Sequence, residues 1–198
     1  TELGIEYKYK DKLRINQIVY FSTGSNFQYF AGTGDSVYTA NVKLKPVLKR
    51  ENISKIEIWG TETDINYFVT PNLILIANYT HSHSIISKFE LQNYFGNSLQ
   101  GKFLTDVPPN IVYAGIIWKN RIVNISGNFN YFDKQWNDEE NITQVPDYYV
   151  LNMSFSKEVF KNIKANIKVQ NILDNRYIDK KGQISPGRFI IGEVFYNF

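Results

Sequence analysis

Cysteine is absent from the 198 residues, so no disulfide framework and no thiolate metal site is available. There is one methionine, and there are two histidines. No stretch approaches the roughly 20 consecutive apolar residues that a transmembrane helix requires. The longest uninterrupted apolar run in the middle of the chain is LILIA, residues 73–77. Helical periodicity is missing throughout. No basic segment followed by an apolar one stands at the start, so no signal peptide is expected there. The chain opens on Thr1 rather than methionine, which reads as a fragment or as the product of upstream removal. The net charge is only +3. Its charges read as scattered, with no basic cluster of the kind that tracks phosphates, so no nucleic-acid partner is expected.

Against these absences stand 16% aromatics and 43% hydrophobic residues at a mean hydropathy of −0.32. The apolar content is therefore dispersed, and it is dispersed every second residue. In NIKANIKVQN, Ile163, Ala165, Ile167 and Val169 alternate with Lys164, Asn166, Lys168 and Gln170. YYVLNMSFSK, VNISGNFNYF and the final run through Ile190, Gly192, Val194 and Tyr196 behave alike. Period two means strands with two different faces. Five further strands read over residues 3–10, 13–30, 54–69, 73–82 and 111–119, giving nine. Their connections alternate between tight turns (KDK, TPN, KN, VFKN) and long polar segments at 32–53, 84–106, 137–147 and 175–187. Residues 121–136 read as one continuous strand, against a usual five or six residues in globular sheets. Tyr9, Trp59, Tyr67, Tyr79, Trp118, Tyr131, Trp136, Tyr148 and Tyr196 fall near strand ends, as aromatic girdles do. A soluble β-sandwich explains the alternation. It does not explain the strand lengths or the asymmetry of the connections. The fold class expected is all-β, an antiparallel transmembrane β-barrel meander, with the Ile163 face toward lipid and the Lys164 face toward a lumen.

The last thirty residues carry a resemblance. Asn171, Ile172, Leu173, Asp174 and Tyr177, then Pro186, Gly187 and Arg188, then a closing strand ending on Phe198, resemble the C-terminus of TonB-dependent outer-membrane receptors. DVPP (residues 106–109) and VPDYYVLNMSFS (residues 145–156) are similar to that family's late-barrel strand entries. The resemblance implies the last nine strands of a 22-stranded barrel, so that residues 1–198 form a C-terminal barrel portion with plug domain and TonB box absent. It implies that Tyr196 and Phe198 belong to a signal read by the barrel assembly machinery, although the usual signal places its glycine one position from Gly192. The implied location is the Gram-negative outer membrane. The implied partners are outer-membrane lipid and lipopolysaccharide, the remainder of the receptor with its plug and N-terminal strands, the TonB complex through that plug, and the assembly machinery.

No nucleophile stands with a base and an orienting group, and neither an enzyme nor a cofactor is expected. His81 and His83 share one side of a strand and are weak metal candidates; a wet rim position is the better reading. GTGDS (residues 32–36) lacks the lysine and helix of a phosphate cradle. The acidic NDEEN loop, and Glu57, Glu62 and Asp64 on a barrel wall, read as solvated groups. Ligand contacts are expected from the long loops, with Tyr38, Phe89, Tyr94 and Tyr177 as candidates. The function expected is uptake of a scarce ligand (siderophore-iron, haem, cobalamin or a glycan), energised through TonB. A small self-contained barrel acting as an adhesin or porin is the alternative, and a soluble lipocalin-like binder stands third.

Overall fold

The computed structural model describes residues 1–39, 44–89, 98–180 and 183–196. Its strands are β1 (Glu2–Tyr9), β2 (Leu13–Tyr38), β3 (Leu44–Thr70), β4 (Leu73–Phe89), β5 (Asn110–Trp118), β6 (Asn124–Phe132), β7 (Gln135–Trp136), β8 (Gln144–Val145), β9 (Tyr148–Phe160), β10 (Ile163–Gln170), β11 (Ile178–Lys180), β12 (Gln183–Ile184) and β13 (Phe189–Tyr196). Nine of them form one antiparallel meander in the order β1-β2-β3-β4-β5-β6-β9-β10-β13. The other four make two small ladders, β7 with β8 and β11 with β12, inside the long connections. Among the described residues there is no helix, and β1 does not pair with β13.

The strand register sorts the side chains into two surfaces. One row of paired residues crosses all nine strands: Tyr9, Leu13, Tyr67, Leu75, Ile116, Gly127, Met153, Val169 and Ile190. One residue along, the row reads Lys8, Arg14, Asn66, Ile76, Gly115, Asn128 and Asn152. Successive side chains point to opposite faces, so the first surface is apolar and the second largely polar. The polar face is bonded laterally. Asn128 Oδ1 accepts from Asn130 Nδ2 at 2.8 Å and from Asn152 Nδ2 at 2.9 Å. Ser154 Oγ donates to Asn166 Oδ1, and Asn166 Nδ2 and Lys168 Nζ both donate to Glu193.

The apolar face is not covered. Tyr9, Tyr67, Leu75, Ile116 and Ile190 on that row are all exposed. The chain exposes 13693 Å² in all, whereas a compact water-soluble monomer of 23.1 kDa exposes about 9,700 Å². The buried apolar side chains among the described residues are Ile56, Ile86, Phe89, Leu99 and Val145. All of them sit at the end of the sheet that carries the long connections.

Two parts of the wall differ from the sequence expectation. Residues 32–53 are not a loop for most of their length, because β2 continues to Tyr38 and β3 begins at Leu44. Residues 121–136 are not one strand. Asn120 Oδ1 accepts from the Ile122 and Val123 amides, and this local turn holds the chain out of the ladder before β6. At the other end Asp133 makes the last sheet bond, to the Asn110 carbonyl, and its own carboxylate accepts from Lys134 N–H. The chain then leaves for the β7–β8 ladder. Among the carboxylates, Glu62 and Asp64 share the polar face, while Glu57, paired with Ile85, shares the face of Trp59.

One group breaks the apolar face and is closed upon itself. Gln17 Nε2 donates to Thr61 Oγ1 and, at 3.3 Å, to the Ile18 carbonyl. Thr63 Oγ1 donates to Gln17 Oε1 at 2.7 Å, and Thr61 Oγ1 to the Ile18 carbonyl at 3.0 Å. Every polar atom of the Gln17 amide is thus engaged across the β2–β3 pair. Thr63→Val removes one partner and strands Gln17 Oε1, and the expected cost is about 1–3 kcal/mol. Replacing all three residues by Leu, Val and Val is expected to restore stability to near the parent. Urea midpoints of the refolded protein measure both; a triple variant less stable than the single one contradicts the closed-network reading.

Candidate functional site

The long connections fold onto one another at one end of the sheet. Residues 98–109 turn back along β4: Gly101 N–H donates to the Ile86 carbonyl, Ile86 N–H to the Lys102 carbonyl and Leu104 N–H to the Ser84 carbonyl. The β6–β9 connection then clasps that segment. Asn141 Oδ1 accepts from Phe103 N–H at 2.7 Å and Asn141 Nδ2 donates to the Phe103 carbonyl at 3.1 Å. Asp106 N–H donates to the Trp136 carbonyl. Gln135, only 7% exposed, donates through Nε2 to the Asp179 carbonyl and so ties in the β10–β13 connection. Three connections are therefore linked by polar contacts that no motif in the sequence signals.

The ligand candidates separate in this frame. Tyr38 stands 75% exposed at the end of β2. Phe89 is 7% exposed and packs with Ile86 and Leu99; its ring braces the base of the connection. Tyr177 stacks on Tyr148 with centroids 4.1 Å apart and planes 8° apart, and Tyr148 stacks on Phe132 at 4.9 Å. Tyr177 lies between two concavities. One, of about 370 Å³, is bounded by Asp147, Arg176, Ile178 and Ile184; the other, of about 510 Å³, by Asn152, Gln170 and Phe189. The partners of Tyr177 in this stack were open to sequence reasoning, since alternation puts Phe132 and Tyr148 on one face. Tyr94 and Phe198 lie outside the described residues. Tyr196 is exposed at the end of β13, paired with Ile163.

His81 and His83 do share a face, but the Trp59 ring stands against both. It stacks on His83 at 4.9 Å and tilts against His81 at 5.7 Å. His81 Nδ1 lies 3.0 Å from Asn110 Oδ1. Among the described residues no three His, Asp or Glu side chains group as metal ligands.

The C-terminal phrase is a hydrogen-bonded knot. Asn171 adopts φ 49° and Asp174 φ 54°, left-handed values that Asn and Asp tolerate best after glycine. Asn171 N–H donates to Asn152 Oδ1, Asn171 Nδ2 to the Asn175 carbonyl and Asn175 N–H to Asn171 Oδ1. Asp174 Oδ1 accepts from Arg188 N–H at 2.7 Å. A Cβ at position 187 would stand 2.3 Å from Asp174 Oδ1, so only glycine lets the carboxylate reach that amide. The motif ends β10 and launches β13.

Asp138 closes the acidic connection. Burial alone would raise its pKa, but bonds from Ile142 N–H, from Thr143 Oγ1 and from Thr143 N–H outweigh that and hold it below its ordinary 3.8. Burial, and then the neighbouring Glu140, push Glu139 upward. A lowered folded pKa contributes stability that is complete above the unfolded value and is lost as pH falls through the folded one. Between pH 6 and 4 the Ile142 and Thr143 amide shifts should hold steady; they should move together below about pH 3.8. In Asp138→Asn this movement should vanish. Amide NMR titration checks it, and a transition centred above pH 4.5 contradicts it.

The profile of the family described as "TonB dependent receptor-like, beta-barrel" matches residues 1–172. Solved structures share the fold at low identity. The siderophore receptor PiuA from Acinetobacter baumannii is 19% identical, with 98% of this chain and 28% of that one covered and a TM-score of 0.78. The copper transporter OprC is 16% identical, with 100% and 30% covered and a TM-score of 0.72. BauA, the ferric preacinetobactin receptor from Acinetobacter baumannii, is 18% identical, with 100% and 29% covered and a TM-score of 0.72. The chain thus spans less than a third of the length of these structures. With an open antiparallel meander, its unsheathed apolar face and a family profile over most of its length, the chain belongs to the TonB-dependent receptor β-barrel family.

Proposed function

We propose that this chain forms lipid-facing wall and external loops of an outer-membrane receptor that takes up a scarce ligand with energy delivered through TonB. The unbroken apolar row across nine paired strands carries the reading. In hydrocarbon a spanning sheet must pair its backbone internally and show lipid an apolar surface. The tight turns at 10–12, 71–72 and 161–162 suit the periplasmic side, and the linked connections the outside. Ligand contact is assigned to Tyr38, exposed at the end of β2, and to Tyr177, half-buried in its stack on Tyr148. Siderophore-iron, haem, cobalamin and glycans remain the ligand classes. The chain supplies no catalytic group to this process.

The strand count bears on closure. In a nine-stranded meander β1 and β13 run in the same direction. They cannot meet as antiparallel neighbours, and open edges facing lipid leave backbone groups unpaired at several kcal/mol each. The rest of the wall, the plug and the TonB contact are accordingly assigned to other parts of the same receptor, and the assembly machinery and lipopolysaccharide to its surroundings.

Lysine at Ile167, near the middle of β10, should destabilise the receptor by about 2–4 kcal/mol, while Lys164→Gln should change it little. Spin labels at Ile116 and Ile167 should be accessible to oxygen dissolved in lipid, and labels at Asn128 and Lys164 should not. Lipid accessibility at Asn128 or Lys164 sinks the assignment of faces.

A further inference from the structure

Phe189 stands on the wrong surface for its chemistry. It pairs with Gln170, one residue along from the apolar pair Val169↔Ile190, so it belongs to the polar face of the wall. There its ring is 56% exposed. A large apolar group left open on a polar surface is an observation that asks for a reason. The ring borders the concavity of about 510 Å³ beside Tyr177, together with Asn152, Gln170 and the Asn171–Gly187 knot. That volume falls within the range of about 300–1,000 Å³ that small-molecule sites occupy.

The lining is uncharged. No Asp, Glu, Lys, Arg or His borders this concavity, whereas Asp147 and Arg176 both border the neighbouring one. Two residues down β10 on the same face, Lys168 is neutralised by Glu193 at 2.8 Å. At the knot, Asp174 is turned to the Arg188 amide. What the lining does offer is neutral hydrogen-bonding capacity. Asn152 Nδ2 gives one of its two hydrogens to Asn128 Oδ1, and its Oδ1 accepts from Asn171 N–H, so one N–H of Asn152 is left over. The Gln170 side chain is exposed and has no hydrogen-bond partner among the described residues.

We propose that this concavity is a subsite for a neutral saccharide. The inference rests on the uptake reading above and selects one of the ligand classes left open there. A sugar ring presents weakly positive C–H groups on its faces and hydroxyls around its rim. The C–H face packs against the negative face of an aromatic ring, here Phe189 or Tyr177. The hydroxyls both donate and accept, and so does the Gln170 carboxamide. A charged group set into this concavity, such as a haem propionate or an anionic ferric chelate, would lose water against walls that return no opposite charge.

The test uses the whole receptor in an amine-oxide detergent, since glycoside detergents are themselves sugars. The probes are short neutral oligosaccharides of glucose, mannose, xylose and N-acetylglucosamine, followed by calorimetry and by saturation transfer from protein aromatic protons to sugar C–H groups. At least one of them should bind, with an affinity that is unchanged as salt is raised, because a neutral ligand is not screened. Phe189→Ala and Gln170→Leu should each weaken that binding by about tenfold. Phe189→Tyr keeps the ring and should bind as the parent does, which separates a lost contact from a folding defect. Binding of none of the four, or binding that Phe189→Ala and Gln170→Leu leave unchanged, overturns the proposal. So does binding of haemin, cyanocobalamin or a ferric catecholate complex that these two variants weaken; that result would leave the uptake reading standing with a different ligand. The lipid accessibility of Ile116 and Ile167 is read separately, so the saccharide assignment can fail while the membrane assignment holds.

Discussion

Backbone pairing is the constraint on which everything else in this molecule depends. A strand that crosses hydrocarbon can leave no amide or carbonyl unsatisfied. Each inner strand of the wall bonds to both its neighbours, and only β1 and β13 keep one open edge each. Once the ladder is fixed, the side chains have no further freedom. Odd and even positions go to opposite surfaces, and the sequence has placed apolar groups on one and amides, hydroxyls and charges on the other. The hydrophobic effect then acts between the sheet and its solvent rather than between two halves of a core. This is why the chain exposes 13693 Å² and buries so few apolar residues.

The ends of the strands are where this economy breaks down and special chemistry appears. Leaving the ladder requires the main chain to turn with its polar groups still satisfied. Asn and Asp do this repeatedly: Asn120 before β6, Asp133 after it, Asn171 and Asp174 after β10. The same residue types link the long connections, through Asn141 to Phe103, while Gln135 reaches Asp179. The connections are already held together, with the Phe132–Tyr148–Tyr177 stack between them. Pre-organisation of this kind lowers the ordering cost of binding.

Much of the wall was legible in the sequence, because period two is a physical signal that survives without any tertiary context. Ile163 to Gln170 shows it: each residue stands on the face its parity predicts. The C-terminal phrase was legible as a resemblance, and its mechanical meaning became clear only with the Asp174–Arg188 bond and the space reserved at Gly187. The site was less legible. Tyr38 and Phe89 look equivalent as aromatics beside loops, yet one is 75% and the other 7% exposed. That difference is set by residues 98–109 folding back over β4, a long-range event with no local signature. The height of β2 and β3 was missed for a related reason. Gly32, Gly34 and Pro46 read as loop formers, whereas in a ribbon with open edges they are tolerated.

The three tryptophans offer the most direct test of the two-faced wall. Trp59 and Trp118 lie on the apolar face near opposite ends of the strands, 47% and 44% exposed, whereas Trp136 belongs to the β7–β8 ladder. Variants of the whole receptor that keep only one of these three, with other tryptophans replaced by phenylalanine, can be reconstituted in bilayers of brominated lipid. A lipid-facing apolar row predicts strong quenching of Trp59 and Trp118 by bromine on the acyl chain near the interface, and little quenching of Trp136. Equal quenching of all three, or quenching of Trp136 alone, would contradict it.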